Sequence, residues 1–200
     1  NQINQLRLVN FFMESIPYDK RSGKIWFDGA LINWSEVKIH VLSHGLHYAS
    51  CVFEGERVYD GEIFKLEEHT ERLFHSAFRM GFEIPYSQEV LNKATKDIVA
   101  IQKIKNGYVR PITWRGSEMM AISAQQTKIN VAIAAWEWGP YYDINKGIRL
   151  NISKWKRPAP DTIPWDTKAS GLYMICTLSK HEAEREGFTD SLMLDYQGNI

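Results

Sequence analysis

Two Asp-Gly pairs, Asp28-Gly29 and Asp60-Gly61, each stand between apolar runs, and they constrain the front of this chain more than any other feature. A two-residue connection of this kind favours a hairpin turn with positive φ at both positions, which Asp tolerates and Gly adopts freely. Lys-Ile-Trp-Phe from Lys24 and Ala-Leu-Ile-Asn-Trp from Ala30 flank the first pair; Val52 to Tyr59 and Glu62 to Leu66 flank the second. Antiparallel sheet is therefore expected early in the chain.

The period then changes. Over Glu67 to Gly81, Leu73, Ala77 and Met80 share one face with Phe74 and Phe78 beside them, which predicts an amphipathic helix stopped by Gly81. A second helix is predicted from Ser87 as N-cap, with Val90, Leu91, Ala94, Ile98 and Ile101 facing inward and Asn106-Gly107 ending it. Tyr108 to Trp114, Ile129 to Trp138 and Ile148 to Ile152 read as strands. The Gly-Pro-Tyr-Tyr segment after Trp138 is the best interdomain linker. A Pro-rich loop, Arg157 to Trp165, leads to a predicted helix from Ala169 to Glu186 capped by Gly187, then a strand from Ser191 to Asp195. A strand that enters a turn and stops leaves ladder groups unpaired, so the sequence is expected to continue beyond Ile200.

With 200 residues and 44% hydrophobic content, the chain can bury a core of one domain or two small ones. Lys+Arg and Asp+Glu both number 24, so no strong field points to nucleic acid or anionic lipid. The opening residues, Asn1 to Arg7, lack the pattern of a signal peptide, and no apolar run approaches the roughly 18 residues of a membrane span. Together with two cysteines that form no metal or redox motif, this predicts a cytoplasmic protein.

Few motifs carry chemistry by themselves. His44 and His47 could begin a metal site but lack a third donor in a recognisable pattern, and no metal is expected. Gly-rich phosphate loops and a G-x-S-x-G elbow are absent. Lys154-Trp-Lys-Arg157 reads as a solvated strand end rather than a nucleic-acid patch. Aromatic residues make up 12% of the chain and suit either core packing or the wall of a small-molecule pocket.

Order along the chain adds what single motifs lack. Ser43-His-Gly-Leu-His-Tyr48, Val52-Phe-Glu-Gly55, His69-Thr-Glu-Arg-Leu73 with Ser76-Ala77, Tyr108-Val-Arg-Pro111, Ala135-Trp-Glu-Trp-Gly139 and Thr162-Ile-Pro-x-x-x-Lys168-Ala together resemble the branched-chain aminotransferases of fold-type IV. The resemblance implies an α/β (α+β) fold of two domains: a small one over residues 1–140, a linker over 141–147, and the first part of a larger, β-barrel-like domain over 148–200. It implies pyridoxal 5′-phosphate as cofactor, carried by Lys168 as a Schiff base, because transamination needs a primary amine that holds the aldehyde and then moves the α-proton. Arg72 is implied at the cofactor phosphate and Tyr173 at the ring oxygen. Tyr48, Phe53, Gly55, Tyr108, Arg110, Trp138 and Tyr141 are implied around the substrate, an amino acid or 2-oxo acid, with leucine, isoleucine and valine suiting the apolar wall.

The same resemblance implies a homodimer or higher homo-oligomer, with Tyr48 reaching a neighbouring subunit, and no nucleic-acid or membrane partner. The family's carboxylate for the pyridine nitrogen, a second phosphate-binding loop and a late Gly-Thr pair fall beyond the position of Ile200. A chain ending there is expected to transaminate little, and a longer one to be competent. The alternatives left open are a D-amino-acid or (R)-amine aminotransferase of the same fold, and a noncatalytic ligand-binding or oligomer-forming module.

Overall fold

The computed structural model describes residues 16–200. The reading of Asn1 to Arg7, and the first fifteen residues of the expected small domain, lie outside the described residues.

Both Asp-Gly pairs close two-residue hairpins. Strands β1 (Lys24–Phe27) and β2 (Ala30–Asn33) pair with Phe27 opposite Ala30, and β4 (Glu56–Tyr59) and β5 (Glu62–Ile63) pair with Tyr59 opposite Glu62. Asp28, Gly29, Asp60 and Gly61 all have positive φ, as such turns require. The second hairpin is shorter than its sequence suggests. Its first arm breaks at Glu54-Gly55, leaving β3 (Cys51–Phe53) and β4 as separate strands, and its second arm yields to helix from Leu66. Both pieces lie along one partner: β3 and β4 each pair with β6 (Gly107–Arg115), which also pairs along its full length with β7 (Ile129–Glu137). The result is one antiparallel sheet, ordered β2-β1-β7-β6-β4-β5, with β3 collinear with β4 on β6.

A short helix α1 (His44–Tyr48) precedes β3, and two longer helices, α2 (Leu66–Arg79) and α3 (Gln88–Ile101), cover one face of the sheet. Leu73 and Ala77 of α2 and Leu91, Ala94 and Ile98 of α3 join Val52, Val58, Val109, Val131 and Ile133 in the main core. Ser87 caps α3 by accepting from the Val90 amide. Val90 and Ile101 are exposed, against expectation, because the buried stripe is completed by Thr95 and Val99 instead. Val90 precedes Leu91, in the middle of that stripe, by one residue, a rotation of about 100°. Helix α3 also ends five residues before Asn106-Gly107; Lys103 takes the left-handed conformation there, and Gly107 opens β6. On the opposite face Trp34, Cys51 and Trp114 form a smaller cluster with Ile25 and Ala132.

Beyond residue 138 the chain runs without helix or strand to β8 (Leu150–Ile152), which pairs in parallel with β9 (Asp190–Leu192). Helix α4 (Met174–Arg185) joins them, as a parallel pair needs a crossover. The predicted helix from Ala169 starts instead as a 3₁₀ turn, Ser170–Tyr173, and Gly187 follows its end with positive φ. The predicted strands over Ile148–Ile152 and Ser191–Asp195 shrink to three residues each; β8 leaves Leu150 and Ile152 exposed rather than alternating against a core.

Candidate active site

Sheet alternation sorts the site before any side chain is considered. Successive residues of a strand face opposite sides, so Tyr108 and Arg110 of β6 point away from the helices while Val109 enters the helix-side core. Beside them, Phe53 faces with Arg110 and Tyr108, whereas Glu54 and Glu56 turn under α2.

The segment carrying Lys168 runs along the outer edge of β3. The Phe53 amide donates to the Lys168 carbonyl at 3.2 Å, Ala169 bridges Val52, and the Lys168 amide donates to Ser76 Oγ on α2 at 3.0 Å. The backbone of Lys168 is thus held from both sides. Its Nζ lies 2.7 Å from the Tyr173 hydroxyl and 4.8 Å from the centre of the Phe53 ring. The 3₁₀ turn supplies this pairing, since it folds Tyr173 back within five residues of Lys168.

From Phe53 a continuous aromatic wall extends outward. Arg110 lies over Phe53 at 4.4 Å and over Tyr108 at 5.2 Å, and donates to the Tyr108 hydroxyl at 3.1 Å. Tyr108 meets Trp138 at 5.0 Å, and Trp138 meets Tyr141 at 4.8 Å between ring centres. Burial, with the Tyr108 phenol beside it, pushes Tyr141 up to about 12, so its hydroxyl stays protonated and able to donate across the neutral range. The Arg110 Nε is buried and has no partner among the described residues. Gly55 belongs to this wall by what it lacks: a Cβ there would overlap the Tyr108 phenol.

Arg72 sits on the helix side of the sheet. Its Nε and Nη2 donate to the two oxygens of Glu54 at 2.6 and 2.8 Å, leaving Nη1 outside that fork. His69, one turn earlier, holds its Nδ1 2.8 Å from Glu54 Oε2, and must carry the proton there if Glu54 is ionised. Burial pushes the Glu54 carboxyl up, but hydrogen bonds and charge from Arg72 and His69 outweigh it and bring it below the ordinary value. Glu54 in turn raises Arg72. Glu56, two residues on, is equally buried, yet neither of its oxygens has a partner among the described residues.

Of the residues singled out from sequence, Lys168, Tyr173, Phe53, Arg110, Tyr108, Trp138 and Tyr141 form one connected group, with Gly55 beside Tyr108 and Arg72 on the helix side of the sheet, bound to Glu54. Tyr48 stands apart: it is exposed, and its ring stacks on His44 at 4.5 Å. His44 itself is engaged by Ser50 Oγ and the Ala121 carbonyl, and His47 by the Val41 carbonyl. Sequence reading assigned no role to Glu54, His69, Ser76 or Asp166. His69 and Arg72, spaced i and i+3 on α2, share Glu54, which lies at the break between β3 and β4 and is far from them in sequence.

Residues 51–200 match the family model of amino-transferase class IV. The chain belongs to this family. The probable branched-chain-amino-acid aminotransferase of Rickettsia felis is 40% identical over 188 residues, which are 94% of this chain and 64% of that protein. The branched-chain-amino-acid aminotransferase of Pseudomonas aeruginosa is 39% identical over 187 residues, covering 90% of this chain and 61% of its own length. Among solved class IV structures, the T.th. branched-chain amino acid aminotransferase with pyridoxamine 5′-phosphate superposes with a TM-score of 0.84 at 37% identity, covering 89% of this chain and 61% of that one. The Thermoproteus uzoniensis branched-chain aminotransferase with norvaline gives a TM-score of 0.84 at 33% identity, with the same coverage. The fold is therefore that of the fold-type IV aminotransferases, and this chain spans less than two thirds of the length of these relatives. Among the described residues, no helix is long and apolar enough to cross a membrane.

Proposed function

We propose that this chain carries the front part of the active site of a pyridoxal-5′-phosphate-dependent aminotransferase acting on leucine, isoleucine and valine with 2-oxoglutarate. One observation carries the reading: a lysine whose backbone is fixed on two sides presents its amine to a phenol, at the inner end of an aromatic wall. The residues fit the cofactor by their chemistry. Lys168 offers a primary amine for an aldehyde, the Nη1 of Arg72, outside the Glu54 fork, offers donors to a phosphate, and Tyr173 offers a hydroxyl to a ring oxygen. Bound pyridoxal phosphate would supply the conjugated ring that accepts electrons from a substrate Cα.

The chain's own groups do the rest. Lys168 Nζ takes the proton from the substrate Cα and returns it, with the Tyr173 hydroxyl directing the amine. Phe53 and Tyr108, both buried, exclude water, and with Trp138 and the more exposed Tyr141 they receive an aliphatic side chain. The unpartnered Nε of Arg110 is a donor suited to the carboxylate of the amino acid or 2-oxo acid. Such a wall separates one methylene by only about 1–3 kcal/mol, so all three branched substrates are accepted.

Residues 141–147 serve in this reading as the linker between a small domain and a larger one, supported by the absence of helix and strand there. Tyr48, exposed and outside the wall, faces the neighbouring subunit of a homodimer.

Incubation with pyridoxal phosphate and borohydride, followed by peptide mapping, is expected to place one reduced adduct on Lys168. Glutamate formation from 2-oxoglutarate is then compared with L-leucine and D-alanine as donors in a chain extended to the length of the relatives. No adduct on Lys168 refutes the cofactor assignment. Faster transfer from D-alanine refutes the branched-chain assignment alone.

A further inference from the structure

Helix α2 carries Arg72, His75, Ser76 and Arg79 at i, i+3, i+4 and i+7, the spacing of a single helical stripe. Every member of that stripe is engaged. Arg72 takes Glu54 from the sheet, and the other three reach the loop that delivers Lys168. Ser76 Oγ accepts from the Lys168 amide at 3.0 Å. Two residues upstream, Asp166 spreads its carboxylate over two partners: Oδ1 accepts from Arg79 at 3.2 Å, and Oδ2 lies 3.4 Å from His75 Nε2.

Backbone bonds from Arg157 to Leu194 and from Phe53 to Lys168 hold the two ends of the loop, and Asp166 is the side chain that ties the residues just before Lys168 to α2. The loop's internal bonds, such as Thr167 Oγ1 to the Pro164 carbonyl at 2.6 Å and Thr162 Oγ1 to the Ala159 carbonyl at 2.7 Å, shape the turns but do not fasten them to the rest of the molecule. The Phe53 amide fastens the Lys168 carbonyl to the sheet, while Ser76 makes the one bond, among the described residues, that ties the Lys168 peptide to α2. The Asp166 fork adds a second point of attachment on the same helix, and two points define a direction.

We propose that Asp166, acting through Arg79 and His75, is a positioning residue that sets the amine of Lys168 at a fixed separation from the Arg72 guanidinium. Because both attachments stand on the helix that bears Arg72, the lysine and the anion-binding group move as one body. This assignment rests on the reading of Lys168 and Arg72 given under Proposed function and deepens it: the site selects an aldehyde that also carries a phosphate at the matching distance.

The test compares two aldehydes on the same lysine. Pyridoxal phosphate and pyridoxal differ by the phosphate group. Either condenses with the Lys168 amine, releasing water, and cyanoborohydride delivers hydride to the resulting C=N bond to leave a stable secondary amine. Free pyridoxal is largely closed as its hemiacetal, so peptide mapping reads the rate at Lys168 relative to that at the exposed Lys146 with the same aldehyde. The unsubstituted chain is expected to react much faster with pyridoxal phosphate than with pyridoxal.

In Asp166→Ala, the rate with pyridoxal phosphate should fall about tenfold or more, while that with pyridoxal changes little, because mispositioning by about an ångström removes the advantage of the clamp and not the reactivity of the amine. Arg79→Ala should show the same selective loss, and the double variant should be no worse than Asp166→Ala. Asp166→Asn, which keeps an accepting oxygen for Arg79, should recover part of the preference. Equal losses with both aldehydes, or no loss with either, overturn the positioning role and leave the cofactor reading intact. An unsubstituted chain that does not prefer pyridoxal phosphate overturns the clamp reading of Arg72, and the positioning role with it.

Discussion

Glu56 is a carboxyl at a position that sheet alternation gives to the core. It pairs with Val109 across β4 and β6, lies on the helix side and is 0% exposed. Burial, then the charge of Glu54 nearby, pushes it from an ordinary 4.5 to about 8. Between those two values the folded chain keeps a proton on Glu56 that the unfolded chain has released, so this residue's contribution is intact below pH 4.5 and is lost as pH rises through 8. Glu54 works the other way: its lowered carboxyl contributes above the ordinary value and is lost on acidification. Glu56→Leu is therefore expected to stabilise the chain by on the order of 2–4 kcal/mol at pH 9 and by much less at pH 5. Urea unfolding at both pH values measures this; an equal effect at both would show that Glu56 does not titrate in the folded chain. Gly55, its neighbour, faces the other way. Gly55→Ala is expected to displace the Tyr108 phenol and loosen its bond from Arg110 at an overpacking cost of about 1–3 kcal/mol, read by thermal melting; on the reading under Proposed function it also raises KM for leucine in a chain extended to the length of the relatives.

At the scale of elements, the features legible in the sequence were those set by neighbours in the chain. The Asp28-Gly29 and Asp60-Gly61 turns, the Ser87 cap and the periodicity of α2 each depend on a few consecutive residues, and each is where the sequence places it. Failures occur where a distant element decides. The break at Glu54-Gly55 arises because Glu54 turns towards Arg72 on α2 while Gly55 makes room for Tyr108 on β6, two demands that a run of β-formers cannot announce. Thr95 enters the α3 stripe because its hydroxyl finds the Leu91 carbonyl at 2.8 Å, satisfying a polar group that composition counts as surface. The motif order pointed to Lys168, Arg72 and the aromatic wall, and Glu54 and Ser76 stand within those motifs, but the partners of Glu54, Ser76 and Asp166 lie far off in sequence and are not legible there. Helix α3 also gives a test of the core itself. Ile98 is fully buried against sheet and helix, so Ile98→Ala is expected to cost about 2–5 kcal/mol, while Ile101→Ala on the exposed side should cost less than about 1, as denaturant midpoints will show.

For the molecule as a whole, the question is what connects the seven-stranded sheet to the β8-α4-β9 unit beyond the Lys168 loop. Two adjacent tyrosines answer it by facing different partners. Tyr141 closes the aromatic wall against Trp138, while the Tyr142 hydroxyl donates to Asp190 at the start of β9 at 2.7 Å, with Lys180 of α4 6.0 Å from its ring centre. The Asp190 bond, followed by burial, pushes the Tyr142 phenol up to about 12, so this tie does not weaken between pH 6 and 9. Tyr142→Phe removes the hydroxyl and keeps the ring. The loss in stability should be small, about 1 kcal/mol or less, because the bond is solvent-exposed and can be replaced by water. The consequence should instead be local: faster amide exchange over residues 139–147 and, on the reading under Proposed function, a changed ratio of kcat/KM for leucine and valine in a chain extended to the length of the relatives, as Tyr141 loses its fixed place in the wall. Tyr141→Phe supplies the contrast, since it leaves the Asp190 bond in place and should not speed exchange. If Tyr142→Phe leaves amide exchange over 139–147 unchanged, the Asp190 bond does not restrain the segment, and the packing of Tyr141 on Trp138 and the bonds from Arg57 to the Trp138 and Gly139 carbonyls hold it instead.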